Sequence, residues 1–235
     1  MNSFAVATKT EIEYYRKSSL CHNLCGEKPF GSRHWEYPWA LERSGLLKKK
    51  NQHVLDIAPD LTFPYSRFLE NVGHRVTFID LEKKQWSDKV FWGIDATHAV
   101  ANFHVMDVRR MSFPDETFDT IFCISVLEHI VCPTQDPYHP QLHQIFDPLA
   151  AIPALKEMRR CLKTGGRLIL TVDHYGGPIW SSLFARWNIF SDIAVTGLMK
   201  ENQWNFDFDH AYSDPDTFIS EFHGPYITLG FCLEK

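Results

Sequence analysis

No apolar run in these 235 residues approaches the roughly 18 that a membrane-crossing helix requires, so no membrane span is expected. The opening stretch MNSFAVATKTEIEYY has no basic region followed by an apolar one and does not read as a secretory signal. Positive charge is scarce. Lys and Arg total 24 against 29 Asp and Glu, a net charge of −5, and the one dense block is Lys48-Lys49-Lys50. That block reads as a solvated approach to a strand. Nucleic-acid binding calls for a broad basic face, so no nucleic-acid partner is expected. The six cysteines are too sparse and scattered for a disulfide framework, which points to reduced thiols and a cytoplasmic location. Cys21 and Cys25 lie four apart around His22, a spacing that misses the usual zinc knuckle, and no metal is expected. Repeats and low-complexity linkers are also missing. What is present is core material: 44% hydrophobic residues and 14% aromatics, including 18 Phe and 7 Trp. The chain suits one generous domain, or one domain with an added cap.

Along the chain, a first helix is expected over about 8–20, then a loop marked by Gly26, Pro29 and Gly31, then an aromatic helix, SRHWEYPWALERSGLL, ending near Gly45. Residues 1–45 are thus a helical lead-in or cap. From 46 to 235 the pattern alternates. HVLDI (53–57), HRVTFID (74–80), NFHVMD (102–107), FDTIFCIS (118–125) and RLILTVD (167–173) read as strands. YSRFLENVG and the segment from Pro148 to Leu162 read as helices, the second closed by TGG at 164–166. Strands alternating with helices predict an α/β fold with a mostly parallel, Rossmann-like sheet. Two inserts interrupt it, at 131–148 and 176–212. After Asp173 the signals weaken. Ser213-Asp-Pro-Asp216 resembles a helix N-cap leading into TFISEF, and YITLGFCLE is a last strand, which leaves the C-terminal strands short of a full set.

In a parallel sheet, ligands bind beyond the carboxyl ends of the strands, at the switch in strand order. The first strand ends around Asp56, the second at Asp80 and the third at Asp107. An acid at the second strand's end can accept both hydroxyls of a ribose. One after the third can accept from an adenine amino group. Each alone is as well explained as a turn former; the three in this order read as a site.

Two blocks carry a resemblance. FPDETFDTIFCISVLEHI (113–130) and LKEMRRCLKTGGRLILTV (155–172) resemble segments of the class I S-adenosylmethionine-dependent methyltransferases of the small-molecule type, and with the strands above the likeness spans residues 33–175. The resemblance implies a seven-stranded Rossmann-like sheet and S-adenosyl-L-methionine as cofactor. It implies that Asp56, Ala58 and Asp60 lie near the cofactor's methionine and ribose. Asp80 would bind the ribose hydroxyls, with Leu81 beside the adenine; Asp107 and Val108 would flank the adenine; Ile124 and Ser125 would line the cofactor. The segment WEYPWAL (35–41) is similar to the aromatic lead-in of a subgroup linked to sugar or natural-product methylation, where Arg33 or Tyr37 would reach the cofactor's carboxylate.

The departure lies in VLDIAPDLTFPYSRFL (54–69). The family's first turn is glycine-rich, whereas here Ala58 and Asp60 occupy the glycine positions. Glycine serves where φ is positive or backbone touches ligand. Ala58 costs little if its φ stays negative, and Asp tolerates the left-handed region better than most residues.

Methyl transfer from a sulfonium is an in-line displacement helped mainly by positioning, with a general base where the acceptor is a hydroxyl. Candidate bases are His129 after strand four, and His174 and Tyr175 after strand five, with His210 a later possibility. His139 and His143, spaced i, i+4 near Asp136 and Asp147, read as part of a solvated lid. WSSLFARWNIF (180–190) reads equally as a cap over an apolar substrate, a homodimer contact or core. Two function classes follow: a methyltransferase acting on a small molecule, or a non-catalytic or repurposed Rossmann-like binding protein that kept the scaffold and lost the cofactor.

Overall fold

A computed structural model describes residues 2–25, 31–60, 64–81, 102–131, 147–175, 187–200, 203–220 and 225–235, with the side chains of all but Ser66 and Tyr175. The elements run β1 (Ser3–Val6), α1 (Lys9–Arg16), α2 (Ser19–Cys25), α3 (Arg33–Ser44), β2 (His53–Ile57), α4 (Tyr65–Asn71), β3 (Arg75–Asp80), β4 (Phe103–Val105), β5 (Phe118–Ile124), α5 (Leu127–Val131), α6 (Ala151–Cys161), β6 (Leu162–Tyr175), α7 (Ile189–Val195), α8 (Phe208–Ser213), β7 (Ile219–Ser220) and β8 (Tyr226–Glu234).

The strands form one sheet in the order β1-β8-β6-β5-β2-β3-β4, with β7 pairing on β8. β2 to β6 run parallel to one another; β8 runs antiparallel to both β6 and β1. The chain moves outward from β2 to β3 and β4, then returns to lay β5 on the other side of β2. The switch in strand order therefore falls between β2 and β5.

Alternation along each strand sorts side chains onto two faces. Ile169, Phe122, Val54 and Cys232 face one side, where α1 to α4 pack with Trp35, Trp39 and Tyr65. Leu168, Leu170, Val172, Ile121 and Phe231 face the other, against α5 to α8. On the first side α3 approaches β8 closely. A Cβ at Gly230 would stand 2.7 Å from Trp35 and 2.8 Å from Trp39, two indoles stacked 5.0 Å apart, so glycine sets how near α3 lies.

Several expectations need correction. The N-terminal segment opens with a strand, and the helix expected over 8–20 is two helices. β1 supplies the sheet's outer edge beyond β8, so that edge is completed from the N-terminus where the C-terminal strands looked short. The TGG triplet does not end a helix; it lies inside β6, which begins at Leu162 and runs to Tyr175. Gly165 has φ +76, and the register against β5 shifts between Phe118 and Thr120, so the glycines absorb a bulge rather than cap a helix. Ser213 is the last residue of a helix, not a cap starting one. Asp207 caps that helix, accepting from the His210 N–H at 3.0 Å, and in the following TFIS segment Ile219 and Ser220 pair as β7. His139, His143, Asp136 and residues 180–186 lie outside the described residues.

Candidate functional site

The switch point has an unusual backbone. Ala58, just past β2, has φ 49, and Ser125, just past β5, has φ 51. Both are non-glycine residues in the left-handed region, a conformation that costs roughly 1–2 kcal/mol each. Such strain persists where the surroundings enforce it and clusters at functional sites. The Ala58 N–H donates to the Ile79 carbonyl at 2.7 Å, and the Ser125 N–H donates to the Thr171 carbonyl at 3.0 Å. The first turn therefore keeps the glycine-type conformation without a glycine, contrary to the low-cost case of a negative φ.

Above this switch lies the first turn of α3. Glu36 is wholly buried and accepts four hydrogen bonds. Its Oε1 takes Ser125 Oγ at 2.5 Å and Thr171 Oγ1 at 2.6 Å; its Oε2 takes Ser32 Oγ at 2.9 Å and an Arg33 guanidinium N–H at 2.5 Å. Arg33 also donates to Ser125 Oγ at 3.1 Å. Burial pushes the Glu36 carboxyl up, but Arg33 and the three hydroxyls outweigh it and hold the group below its ordinary range. Arg33 remains charged because Glu36, Tyr37, Asp173 and Asp60 together overcome its own burial. Its Nε is buried with no protein partner. Tyr37 stacks on Tyr65 at 4.7 Å, and the charges of Asp56 and Asp60 bear on its phenol.

Asp173 occupies the same face of β6 as Thr171. One carboxyl oxygen accepts Thr228 Oγ1 at 2.7 Å, and its N–H donates to the buried Glu128 carboxylate at 3.2 Å. Burial and the nearby Glu36 charge, only partly offset by Arg33 and Thr228, push the Asp173 carboxyl up to about 7. Burial likewise pushes Glu128 up, reinforced by Asp173.

Of the residues singled out from sequence, Arg33, Tyr37, Asp56, Ala58, Asp60 and Ser125 gather here, with Ile124 half-buried against the α3-side core. Asp80 and Asp107 sit further along the same rim, at the ends of β3 and β4; the Met106 N–H donates to the Asp80 carbonyl at 2.8 Å. Both oxygens of Asp107 are engaged by Arg109, at 2.7 to 3.0 Å. Leu81 is exposed and Val108 is buried in the core. His174 points to the opposite face of the sheet. Its ring stacks on Phe208 at 4.0 Å, and its carbonyl accepts from the Tyr212 hydroxyl. His129 lies exposed on α5, His210 is exposed on α8, and the Tyr175 side chain is outside the description. No group of three metal-ligating side chains occurs among the described residues. No described helix is long and apolar enough to cross a membrane.

Sequence reasoning missed Glu36, Thr171 and Asp173. Arg33 and Glu36 are spaced i, i+3 on a helix, a pairing signal. The strand-end rule that picked out Asp56, Asp80 and Asp107 would also have reached Asp173, the last residue of RLILTVD.

Comparison with known proteins adds the following. A family model described as a methyltransferase domain matches residues 62–170. Comparison with curated protein sequences returned no match. Among solved structures, 1,6-didemethyltoxoflavin-N1-methyltransferase of Burkholderia thailandensis, with bound 1,6-didemethyltoxoflavin and S-adenosylhomocysteine, is similar at TM-score 0.50 and 14% identity, over 86% of this chain and 79% of that one. A protein of Pyrococcus horikoshii is similar at TM-score 0.47 and 21% identity, over 95% and 99%. A SAM-dependent methyltransferase of Aquifex aeolicus is similar at TM-score 0.46 and 15% identity, over 95% and 97%. At 14% identity the likeness to the Burkholderia thailandensis enzyme is one of fold.

Proposed function

For this chain, a class I S-adenosylmethionine-dependent methyltransferase by matched domain and fold, we propose that the acceptor is a small molecule and that the cofactor's amino-acid end lies at the β2–β5 switch. The observation that carries the placement is the pair of left-handed residues, Ala58 and Ser125, on the two strand ends flanking that switch. The reading of a scaffold that lost its cofactor rested on the missing glycines. The positive φ of Ala58 removes that support, since the turn keeps its shape.

The side chains fit the cofactor's charge. The rim is rich in carboxylates, Asp56, Asp60 and Asp173 among them, with Arg33 as a buried guanidinium. A ligand carrying a sulfonium and an ammonium suits the acids. Its single carboxylate suits Arg33, whose Nε has a hydrogen left to give. Bound cofactor supplies an electrophilic methyl group. The protein's part is to hold the acceptor in line and keep water away. Asp80, at the end of β3, is our ribose ligand. We place the protein in the cytoplasm because its described cysteines are unbridged.

Calorimetric titration with S-adenosylmethionine and S-adenosylhomocysteine tests this. Both are expected to release or absorb heat. Asp80→Ala is expected to weaken binding by about 1–3 kcal/mol, the cost of stranding hydrogen-bond partners. No heat from either ligand would overturn the cofactor site; unchanged affinity in Asp80→Ala would overturn the ribose assignment alone.

A further inference from the structure

α2 carries Cys21 and Cys25 one turn apart. Residues four apart on a helix stack on one face, and here the sulphurs stand 3.6 Å from each other. Both thiols are buried against the start of α3. Cys25 Sγ lies 3.3 Å from the Arg33 carbonyl, and Cys21 Sγ lies 3.8 Å from that of His34. Pro38 explains the second contact. Proline has no N–H, so the carbonyl four residues earlier, that of His34, receives no helical hydrogen bond. The Cys21 thiol takes the place of the missing donor.

The two sulphurs are not equivalent. The hydrogen bond with Cys25 holds the Cys21 thiol below its ordinary range, against its burial and with help from the Arg16 charge. Cys25 is pushed up by that same bond and by burial, so it keeps its proton. Two sulphurs 3.6 Å apart on one helix face are placed to act as an attacking and a resolving thiol once the helix opens to solvent, and the opposite pKa directions favour Cys21 as the attacker.

We propose that Cys21 and Cys25 are an oxidation site at which a peroxide converts the two thiols into a disulfide. The Cys21 thiolate attacks one peroxide oxygen; the O–O bond breaks, and the departing hydroxide takes up the proton that Cys21 gave away, leaving as water. Cys21 is then a sulfenic acid. The Cys25 sulphur attacks the Cys21 sulphur, the S–O bond breaks, and the hydroxyl leaves as a second water with the Cys25 proton. Two thiols are oxidised and one peroxide is reduced. Helical residues four apart have Cα atoms about 6 Å apart, within disulfide range, and the sulphurs need to close to about 2.05 Å. Hydrogen peroxide is little larger than water and reaches the pair through local opening of this seven-residue helix. The bridge draws the Cys21 sulphur toward Cys25 and leaves the His34 carbonyl, one residue from Arg33 and two from Glu36, without a thiol donor, so oxidation acts on the first turn of α3. The site does not depend on which acceptor is methylated.

The test uses the reduced full chain and hydrogen peroxide, followed by denaturation, alkylation of remaining thiols and tryptic mass spectrometry without reductant. Cys21 and Cys25 fall in one tryptic peptide, Ser18 to Arg33, because Lys28 precedes Pro29. The expected product is that peptide short of two hydrogens and unalkylated, restored by dithiothreitol, formed at least about tenfold faster than oxidation of the buried Cys161 or Cys232. Cys25→Ser is expected to leave Cys21 as a sulfenic acid that a dimedone probe captures. Full alkylation of both cysteines after oxidant has consumed other thiols would overturn the proposal. So would a Cys21 that passes to sulfinic acid with no bridge in the wild-type chain.

Discussion

On the α3 face of the sheet, a carboxylate at 0% exposure is surrounded by an arginine and three hydroxyls. On the opposite face stand buried Phe190 and Phe231 with partly buried Phe4 and Phe206, contacting ring centroids 5.1 to 5.7 Å apart. The aromatic face lowers free energy by removing apolar area from water and asks little of geometry. The polar face gains little net stability, since taking Glu36 and Arg33 out of water offsets most of their attraction. What it secures is position. Four donors converge on Glu36 from the Ser32–Arg33 corner, from β5 and from β6, and they fix α3 over the switch point. Position is what methyl transfer needs, and strained Ser125 is tied directly into this polar network, while strained Ala58 packs against the apolar core across the switch.

The contrast can be broken most sharply at its two centres. Glu36→Ala leaves Arg33 buried without its carboxylate and is expected to cost about 3–5 kcal/mol in urea unfolding. It should also weaken S-adenosylhomocysteine binding, because Ser125 and Arg33 lose the group that orients them. Phe231→Ala is expected to cost about 3–5 kcal/mol as well, from lost burial and a cavity, yet to leave ligand affinity within about threefold where the variant is folded. Equal losses of affinity in both variants would erase the division between a positioning face and a stabilising one.

Asp173 sharpens the comparison through pH. Its carboxyl is raised in the folded chain to about 7 from an ordinary 3.8, so between those values the folded state holds a proton that the unfolded state has released. Stability therefore falls as pH rises from about 4 to about 7. Asparagine carries no such penalty. Asp173→Asn is expected to match the wild type near pH 4 and to exceed it by roughly 2–4 kcal/mol at pH 8. On the apolar face, Asp192 is raised to about 6 by burial, opposed by a hydrogen bond from Trp187, and slopes in the same direction over a narrower range. Denaturant midpoints across pH 4–8 give both slopes. A flat difference between Asp173→Asn and wild type would show that Asp173 is ionised throughout.

Much of this was legible in the sequence because burial on both sides of a parallel sheet leaves unbroken apolar runs such as HVLDI and RLILTVD. Their order sufficed for the parallel part of the sheet, and the strand-end rule put Asp56, Asp80 and Asp107 on the rim but was not carried on to Asp173. What stayed hidden depended on contacts between distant segments. The i, i+3 spacing from Arg33 marks Glu36 as a paired helix glutamate but not as a buried one, until β5 and β6 deliver Ser125 and Thr171 to it, 89 and 135 residues away. β1 is four residues long and becomes a strand only because β8 offers a partner. His174 read as a base because strand ends look alike in sequence. One residue of pleat decides the face, and it sends Asp173 toward Arg33 and His174 toward Phe208.

The smallest expected effect tests the strained turn itself. Ala58 at φ 49 carries a cost of roughly 1–2 kcal/mol that glycine would not. Glycine also loses more freedom on folding, which returns about 0.5–1 kcal/mol. Ala58→Gly is therefore expected to stabilise the chain by about 0–1.5 kcal/mol, read as a small rise in denaturant midpoint at unchanged slope. Its effect on ligand is the more telling half. If the turn already has the shape a cofactor needs, removing the methyl group leaves S-adenosylhomocysteine affinity within about threefold. If the Cβ blocks the backbone's approach to ligand, affinity rises tenfold or more, about 1.4 kcal/mol, and Ala58 is then a brake on cofactor binding rather than a tolerated substitute for glycine.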